Sequence, residues 1–193
     1  MEKVIVVATS NQGKLKEFRE ILTGYKIISA FEAGFNGEIE ETGKTFYENA
    51  LIKAKAVSTA LNLPALADDS GLMVECLNGA PGIYSARYAG DGVDAHNIDL
   101  LLKNMEGQTN RKAKFVSCLV YYEPNGNITK AEGESIGEIT TERKGNFGFG
   151  YDPVFYSYEL KRVYGECEKG EKNTVSHRYK ALMKLKELLE NKE

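Results

Sequence analysis

The chain has 193 residues, 42% apolar and 27% charged, which gives enough apolar material for a sizeable core and argues against disorder. Its formal charge is -3, and its lysines and arginines are scattered rather than gathered in a block; nucleic acid and anionic membranes are therefore poor candidates as main partners, while small anions remain open. Three widely spaced cysteines, Cys76, Cys118 and Cys167, argue against a disulfide framework and against cysteine metal-ligand spacing, and a reducing cytoplasm fits them best.

The opening run Val4-Ile5-Val6-Val7 is too short for a signal core or a membrane span, so export is not expected. Val4 to Ala8 reads instead as a buried strand, followed by a helix with apolar positions at Leu15, Phe18, Ile21 and Leu22. Thr45 with Glu48 three residues later is a capping-box pattern ahead of Ala50, Leu51, Ala54 and Val57, and predicts a second helix that ends near Ala60. Pro64 to Ala67 and Leu72 to Val74 read as two short strands flanking an acidic corner, and Asp94 reads as the cap of a helix carrying Ile98, Leu101 and Leu102. Phe115 to Tyr122 is a long apolar strand; Pro124-Asn125-Gly126-Asn127 then signals a hairpin, with Ile128 to Thr141 returning antiparallel. A last helix begins about Ser176, with Leu182, Leu185, Leu188 and Leu189 on one face. No repeat or flexible linker divides the chain, so one α/β domain over residues 1–193 is expected, with a mixed sheet flanked by helices.

Five clusters carry chemistry. The loop Thr9-Ser10-Asn11-Gln12-Gly13-Lys14 lies between a strand and a helix, where free amides favour a phosphate and Lys14 adds a mobile cation; it lacks the spacing of a Walker loop, and a plain helix cap is the competing reading. Glu38-Ile39-Glu40-Glu41-Thr42-Gly43 offers oxygen ligands suited to Mg²⁺, or else a solvated acidic loop, ahead of a helix whose Asn49 and Lys53 share a face. Asp68-Asp69-Ser70-Gly71 sets two carboxylates at the edge of the core, where a cation or donors must compensate them unless the segment is a surface turn. In Gly145 to Pro153, glycines alternate with aromatic rings: Phe149 can stack on a base, and Asp152 can serve a ribose, a metal or its own turn. Lys172, Ser176, His177 and Arg178 supply donors able to converge on an anion or a carbonyl, whereas only two histidines in the chain leave no basis for a His-rich zinc site and His96 reads as structural.

In this order the clusters, together with Gly79-Ala80-Pro81-Gly82-Ile83-Tyr84-Ser85-Ala86-Arg87-Tyr88, resemble the inosine triphosphate pyrophosphatase family over almost the whole chain. Two departures are Tyr179, where the family usually has a small residue, and the stretch from Tyr164 to Lys169, where a usual leucine is replaced near Cys167. The resemblance implies an elongated mixed sheet with two lobes around a nucleotide cleft, a homodimer and Mg²⁺. It also implies roles: Thr9, Ser10, Asn11, Gln12, Gly13 and Lys14 on phosphates, Glu40 or Glu41 with Asp69 on the metal, Asp69 as base and Ser70 on substrate. Phe149, Gly150, Tyr151, Asp152, Lys172, His177 and Arg178 would line the nucleoside side.

The reaction so implied is attack of a water, deprotonated by Asp69, on the α-phosphorus of inosine- or xanthosine-type triphosphates, with Lys14 and Lys53 stabilising the leaving pyrophosphate. The carbonyl at position 6 of a deaminated purine suits a donor from His177 or Arg178, and adenine is expected to be rejected. Two rival readings are a Maf-like pyrophosphatase acting on pyrimidine or modified nucleotides and a nucleotide sensor without catalysis. The pattern Ser176-His177-Arg178 with Gly148 to Asp152 opposes the first, and the crowded Asp68 and Asp69 beside Lys14 and Lys53 oppose the second.

Overall fold

The computed structural model describes residues 3–168 and 170–191. Lys169, at the end of the departing stretch noted above, lies outside the described residues. The described strands, including the long central β4 (Lys112–Tyr122), form one mixed sheet in the order β2-β1-β3-β4-β5-β6-β7. Strand β1 (Lys3–Val7) pairs parallel with β2 (Tyr25–Ser29) on one side and with β3 (Ala65–Val74) on the other, while β5 (Ile128–Ile139), β6 (Phe155–Ser157) and β7 (Arg162–Val163) pair antiparallel. The helices are α1 (Gln12–Ile21), α2 (Phe46–Leu61), α3 (Asp94–Asn104) and α4 (His177–Glu190); none is long and apolar enough to cross a membrane among the described residues.

By internal contacts the chain divides into two compact units. The first comprises residues 1–69, 117–133 and 178–193. Ile5, Val6 and Val7 of β1 are buried because strands flank it on both sides, which is why that stretch is apolar; Val4, expected in the buried run, is exposed at the start of the strand. On one side Leu15 and Phe18 of α1 and Leu182 and Leu185 of α4 pack with Ile5, Val7 and Leu66; elsewhere Ala50, Ala54 and Val57 of α2 pack with Val6, Ala65 and Ala67. Leu188 departs from the expected apolar face of α4 and is exposed, because the packed surface is already filled by Leu182, Leu185 and, in part, Leu189.

The second unit comprises residues 70–116 and 134–177. Leu72, Val74, Ile98, Leu101, Met105, Phe115, Ile139, Phe155 and Tyr164 build its core. Three rings meet there, with Phe115 to Phe155 at 4.5 Å and Phe155 to Tyr164 at 5.0 Å between centroids. The β4–β5 hairpin turns where expected, with the Glu123 amide donating to the Asn127 carbonyl, and β5 alternates exposed and buried along its whole length.

Helix starts follow local chemistry. Asn11 caps α1 by accepting from the Lys14 amide at 3.0 Å, and Thr45 caps α2 by accepting from the Glu48 amide at 3.1 Å. Glu48 then accepts from the Lys44 amide at 2.6 Å, one residue earlier than the reciprocal capping box requires. Two expectations are corrected. Asp94 is the first residue of α3, not its cap; Val93 holds the cap position and Asp94 accepts from the Gly150 amide at 2.8 Å. The two short strands around the acidic corner are one strand, β3, which runs straight through Asp68 and Asp69.

Candidate active site

Successive side chains of a strand point to opposite faces, so Asp68 and Asp69 of β3 leave the backbone in different directions and meet different neighbours. Asp68 is fully buried and saturated with donors. Its Oδ1 accepts from the Ser117 hydroxyl at 2.6 Å, and its Oδ2 lies 2.9 Å from Lys14 Nζ and 3.3 Å from Arg178 Nε. Burial alone would raise its pKa, yet the charges of Lys14 and Arg178 and the Ser117 hydroxyl outweigh that effect and hold the carboxyl well below the usual range.

Asp69 is also buried, and its Oδ2 has no hydrogen-bond partner. Its Oδ1 lies 3.6 Å from Lys53 Nζ, which in turn lies 3.3 Å from Glu41 and donates to the Asp68 carbonyl at 2.9 Å. Burial raises the Asp69 pKa; Lys53 and Lys14 oppose the rise, while Glu41 and Asp68 add to it. The acidic loop reaches this place because Asn49 of α2 accepts from the Gly43 amide at 2.8 Å, an approach that a Cβ at position 43 would obstruct, 2.6 Å from the Asn49 oxygen. Lys53, one helical turn beyond Asn49, therefore faces the carboxylates that the same turn of α2 anchors. Glu40 and Glu38 are exposed, so Glu41 is the loop residue brought to Asp69 through Lys53.

Lys14 is not the mobile cation expected of the loop: it is pinned to Asp68, and burial lowers its pKa while that carboxylate works against the fall. Arg178 is buried in the same network and pairs with Glu17 of α1 as well as with Asp68. Glu17 and Ser117 are residues that pattern reading misses; the burial of Glu17 becomes intelligible only once a partner 161 positions away is known. Ser10, Asn11 and Gln12 of the loop are exposed, and Thr9 accepts from the Asn11 amide at 3.1 Å.

In the second unit, Asp152 is buried and its Oδ2 accepts from the Phe149 amide at 3.0 Å and from Lys172 Nζ at 2.9 Å. The same ammonium sits 4.6 Å from the centroid of the Phe149 ring. Gly148 has φ +77, and a Cβ there would lie 2.0 Å from Asp152 Oδ2, so the tight turn and the buried carboxylate require glycine. Tyr151 donates to the Ser85 carbonyl at 2.6 Å, and Asp94 and Ser85 thereby hold Gly150 and Tyr151. His177 is buried and stacks on Phe115 at 4.9 Å. Of the four donors expected to converge on a ligand, Lys172 serves Asp152, and Arg178 serves Asp68 and Glu17. Ser70, the next residue after Asp69, is half-buried.

Fold and site together define an α/β protein with two lysines set on a buried aspartate pair, an arrangement suited to holding a polyanion beside a carboxylate of raised proton affinity. The chain belongs to the Ham1 family, which it matches over residues 5–188. It is 49% identical over 198 residues to a dITP/XTP pyrophosphatase of Haemophilus influenzae, covering 98% of this chain and 100% of that one. It is 46% identical over 190 residues to a dITP/XTP pyrophosphatase of Staphylococcus epidermidis, covering 98% and 97%. Among solved structures it is similar to the Staphylococcus aureus Ham1 protein, with TM-score 0.90, 42% identity and coverage of 99% and 100%. A HAM1 protein from Coxiella burnetii gives 0.89, 41%, 98% and 99%. The kinship expected from the order of the motifs is thus borne out.

Proposed function

We propose that this protein hydrolyses deaminated purine nucleoside triphosphates, of the dITP, ITP and XTP type, to the monophosphate and pyrophosphate, and so clears them from the nucleotide pool. The observation that carries the reading is the buried Asp69 Oδ2 with no hydrogen-bond partner, next to a carboxylate that donors saturate. A buried orphan carboxylate oxygen is costly unless a ligand completes it.

The donor set fits Mg²⁺. The orphaned Asp69 oxygen, with the Glu41 carboxylate on the same Lys53 ammonium, suits a cation that takes one or two carboxylates and leaves the rest to water and phosphate. Asp69 and Glu41 would hold it, and when bound it would neutralise phosphate charge. Asp69 then orients and deprotonates a water for in-line attack on the α-phosphorus, and the raised pKa suits it to accept that proton. The bond to the bridging oxygen breaks, and pyrophosphate leaves with its charge met by Lys14 and Lys53.

We assign the phosphates to the Thr9–Lys14 loop, with Ser70 also touching substrate, and the nucleoside to Phe149, Gly150, Tyr151, Asp152, Lys172, His177 and Arg178. A donor from His177 or Arg178 recognises the carbonyl at position 6. The engagement of Arg178 by Asp68 and Glu17 ties base recognition by that residue to the acidic cluster. The reading includes a homodimer and a cytoplasmic location.

Pyrophosphate release should be measured from ITP, XTP, GTP and ATP with and without Mg²⁺. Preference for ITP and XTP that depends on Mg²⁺ is expected; equal hydrolysis of all four overturns the specificity, and binding without release overturns the chemistry. Equilibrium sedimentation checks the dimer.

A further inference from the structure

Asp68 is adjacent to the proposed base yet is itself unsuited to be one, because both of its oxygens are occupied. Ser117, in β4, donates to Oδ1 at 2.6 Å, and Lys14 and Arg178 approach Oδ2 at 2.9 and 3.3 Å. A contact on each oxygen fixes the plane of a carboxylate, which otherwise turns about its last torsion. The main-chain carbonyl of the same residue accepts from Lys53 at 2.9 Å. One residue thus holds both ammonium groups, Lys14 through its side chain and Lys53 through its backbone.

The bracing is closed on itself. Lys14 and Glu17 lie three residues apart on α1; the first reaches Asp68 directly and the second reaches it through Arg178. Glu17, Asp68 and Arg178 are all buried, and two positive and two negative side chains balance in charge. A buried network of this kind costs desolvation, and a hydrophobic replacement of equal volume commonly serves stability as well or better. Its retention beside the proposed base therefore calls for a role in geometry.

We infer that Ser117 is a positioning residue, seconded by Glu17: by locking the Asp68 carboxylate it holds the Lys14 ammonium where charge develops on the departing pyrophosphate. The inference rests on the reaction proposed above and adds residues outside its phosphate, metal and base contacts. An ammonium placed for the leaving group acts in the transition state more than in the ground state, so misplacement lowers kcat and spares KM.

The test is a double-variant cycle in pyrophosphate release from ITP with Mg²⁺. Ser117→Ala should lower kcat about 10-fold with KM within about threefold, and Ser117→Thr, which keeps the hydroxyl, should recover most of the loss. In a Lys14→Met background, Ser117→Ala should cause no further loss, because the group it positions is gone. Wild-type kinetics in Ser117→Ala, or losses that multiply in the double variant, overturn the inference. Should Ser117→Ala not fold, Glu17→Gln enters the same cycle with the same two outcomes. A second readout is independent of turnover: the ¹⁵Nζ signal of Lys14 in the free protein should shift in Ser117→Ala, and an unmoved signal also overturns the inference. A wild-type protein that releases no pyrophosphate sinks the reaction, while the Lys14 signal still judges the positioning.

Discussion

Asp68 and Asp69 are neighbours in one strand, and their carboxylates live in opposite circumstances: Asp68 is met on both oxygens by Ser117, Lys14 and Arg178, whereas Asp69 buries an oxygen that has no hydrogen-bond partner among the described residues. The contrast separates an anchor from the proposed base and makes the two substitutions to asparagine differ in kind. Asp69→Asn removes an incompletely compensated buried charge while keeping the shape, so it should leave thermal stability unchanged or raised. On the proposed mechanism it also removes the base and a metal charge, and pyrophosphate release should fall by about 10³-fold or more. A melting curve and a turnover assay on one preparation check both halves; a variant that keeps most of its turnover removes Asp69 from the chemistry.

Asp68→Asn should behave in the opposite way and cost stability outright. Breaking a buried pair by removing one partner costs about 3–5 kcal/mol, and here Lys14 and Arg178 both lose their counter-charge. The pH dependence has a definite sign. The folded pKa of Asp68 is depressed below the ordinary unfolded value of about 3.9, so its contribution is complete above that value and is lost as pH falls below it towards the folded pKa. Denaturant midpoints of wild type and Asp68→Asn should therefore lie far apart at neutral pH and approach each other below about pH 4. A gap constant throughout that range contradicts the linkage.

How far the sequence anticipates this arrangement depends on the distance over which each interaction acts. The caps at Asn11 and Thr45, the hairpin at Glu123–Asn127 and the alternation along β5 are settled by residues within a few positions, and they stand close to where the pattern puts them. Strand β2 escapes the pattern, being five residues long and only partly apolar, and it acquires its strand character by pairing with β1. The break expected at Asp68 and Asp69 is absent for the same reason at longer range: two carboxylates would end a strand unless donors arrive from elsewhere, and Ser117 and Arg178 arrive from 49 and 110 residues away. The candidate residues were visible as motifs; the contrast between the saturated Asp68 and the open Asp69 was not, because it depends on which carboxylate those distant donors reach.

Lys53 opposes the rise that burial gives the Asp69 pKa, and its removal should be visible in the acid limb of the rate profile. Burial raises the Asp69 pKa, and among the opposing influences the Lys53 charge is the largest. A group that must be ionised to act as base loses activity as pH falls through its pKa, so the acid limb of kcat/KM should report the ionisation of Asp69. In Lys53→Met the opposing charge is gone and the limb should move to higher pH, in addition to any drop in the plateau. A limb that stays in place or moves to lower pH shows that Asp69 is not the group being titrated.

Gly148→Ala probes the nucleoside side without touching the acidic cluster. The substitution forces a Cβ into a backbone with φ +77 and to 2.0 Å from Asp152 Oδ2, so either the turn or the carboxylate has to move. Either movement disturbs the Phe149 amide and the Lys172 ammonium, both of which that carboxylate holds. The expected result is a KM for ITP raised about 10-fold or more, with a smaller change in kcat, since the substitution leaves the contacts of Asp68, Asp69, Lys14 and Lys53 untouched. Strain at such a position costs about 1–3 kcal/mol, so the variant should stay folded at assay temperature with a lowered melting point. A drop confined to kcat would place the glycine turn with the chemistry rather than with the base, and would remove Phe149 and Asp152 from nucleoside recognition.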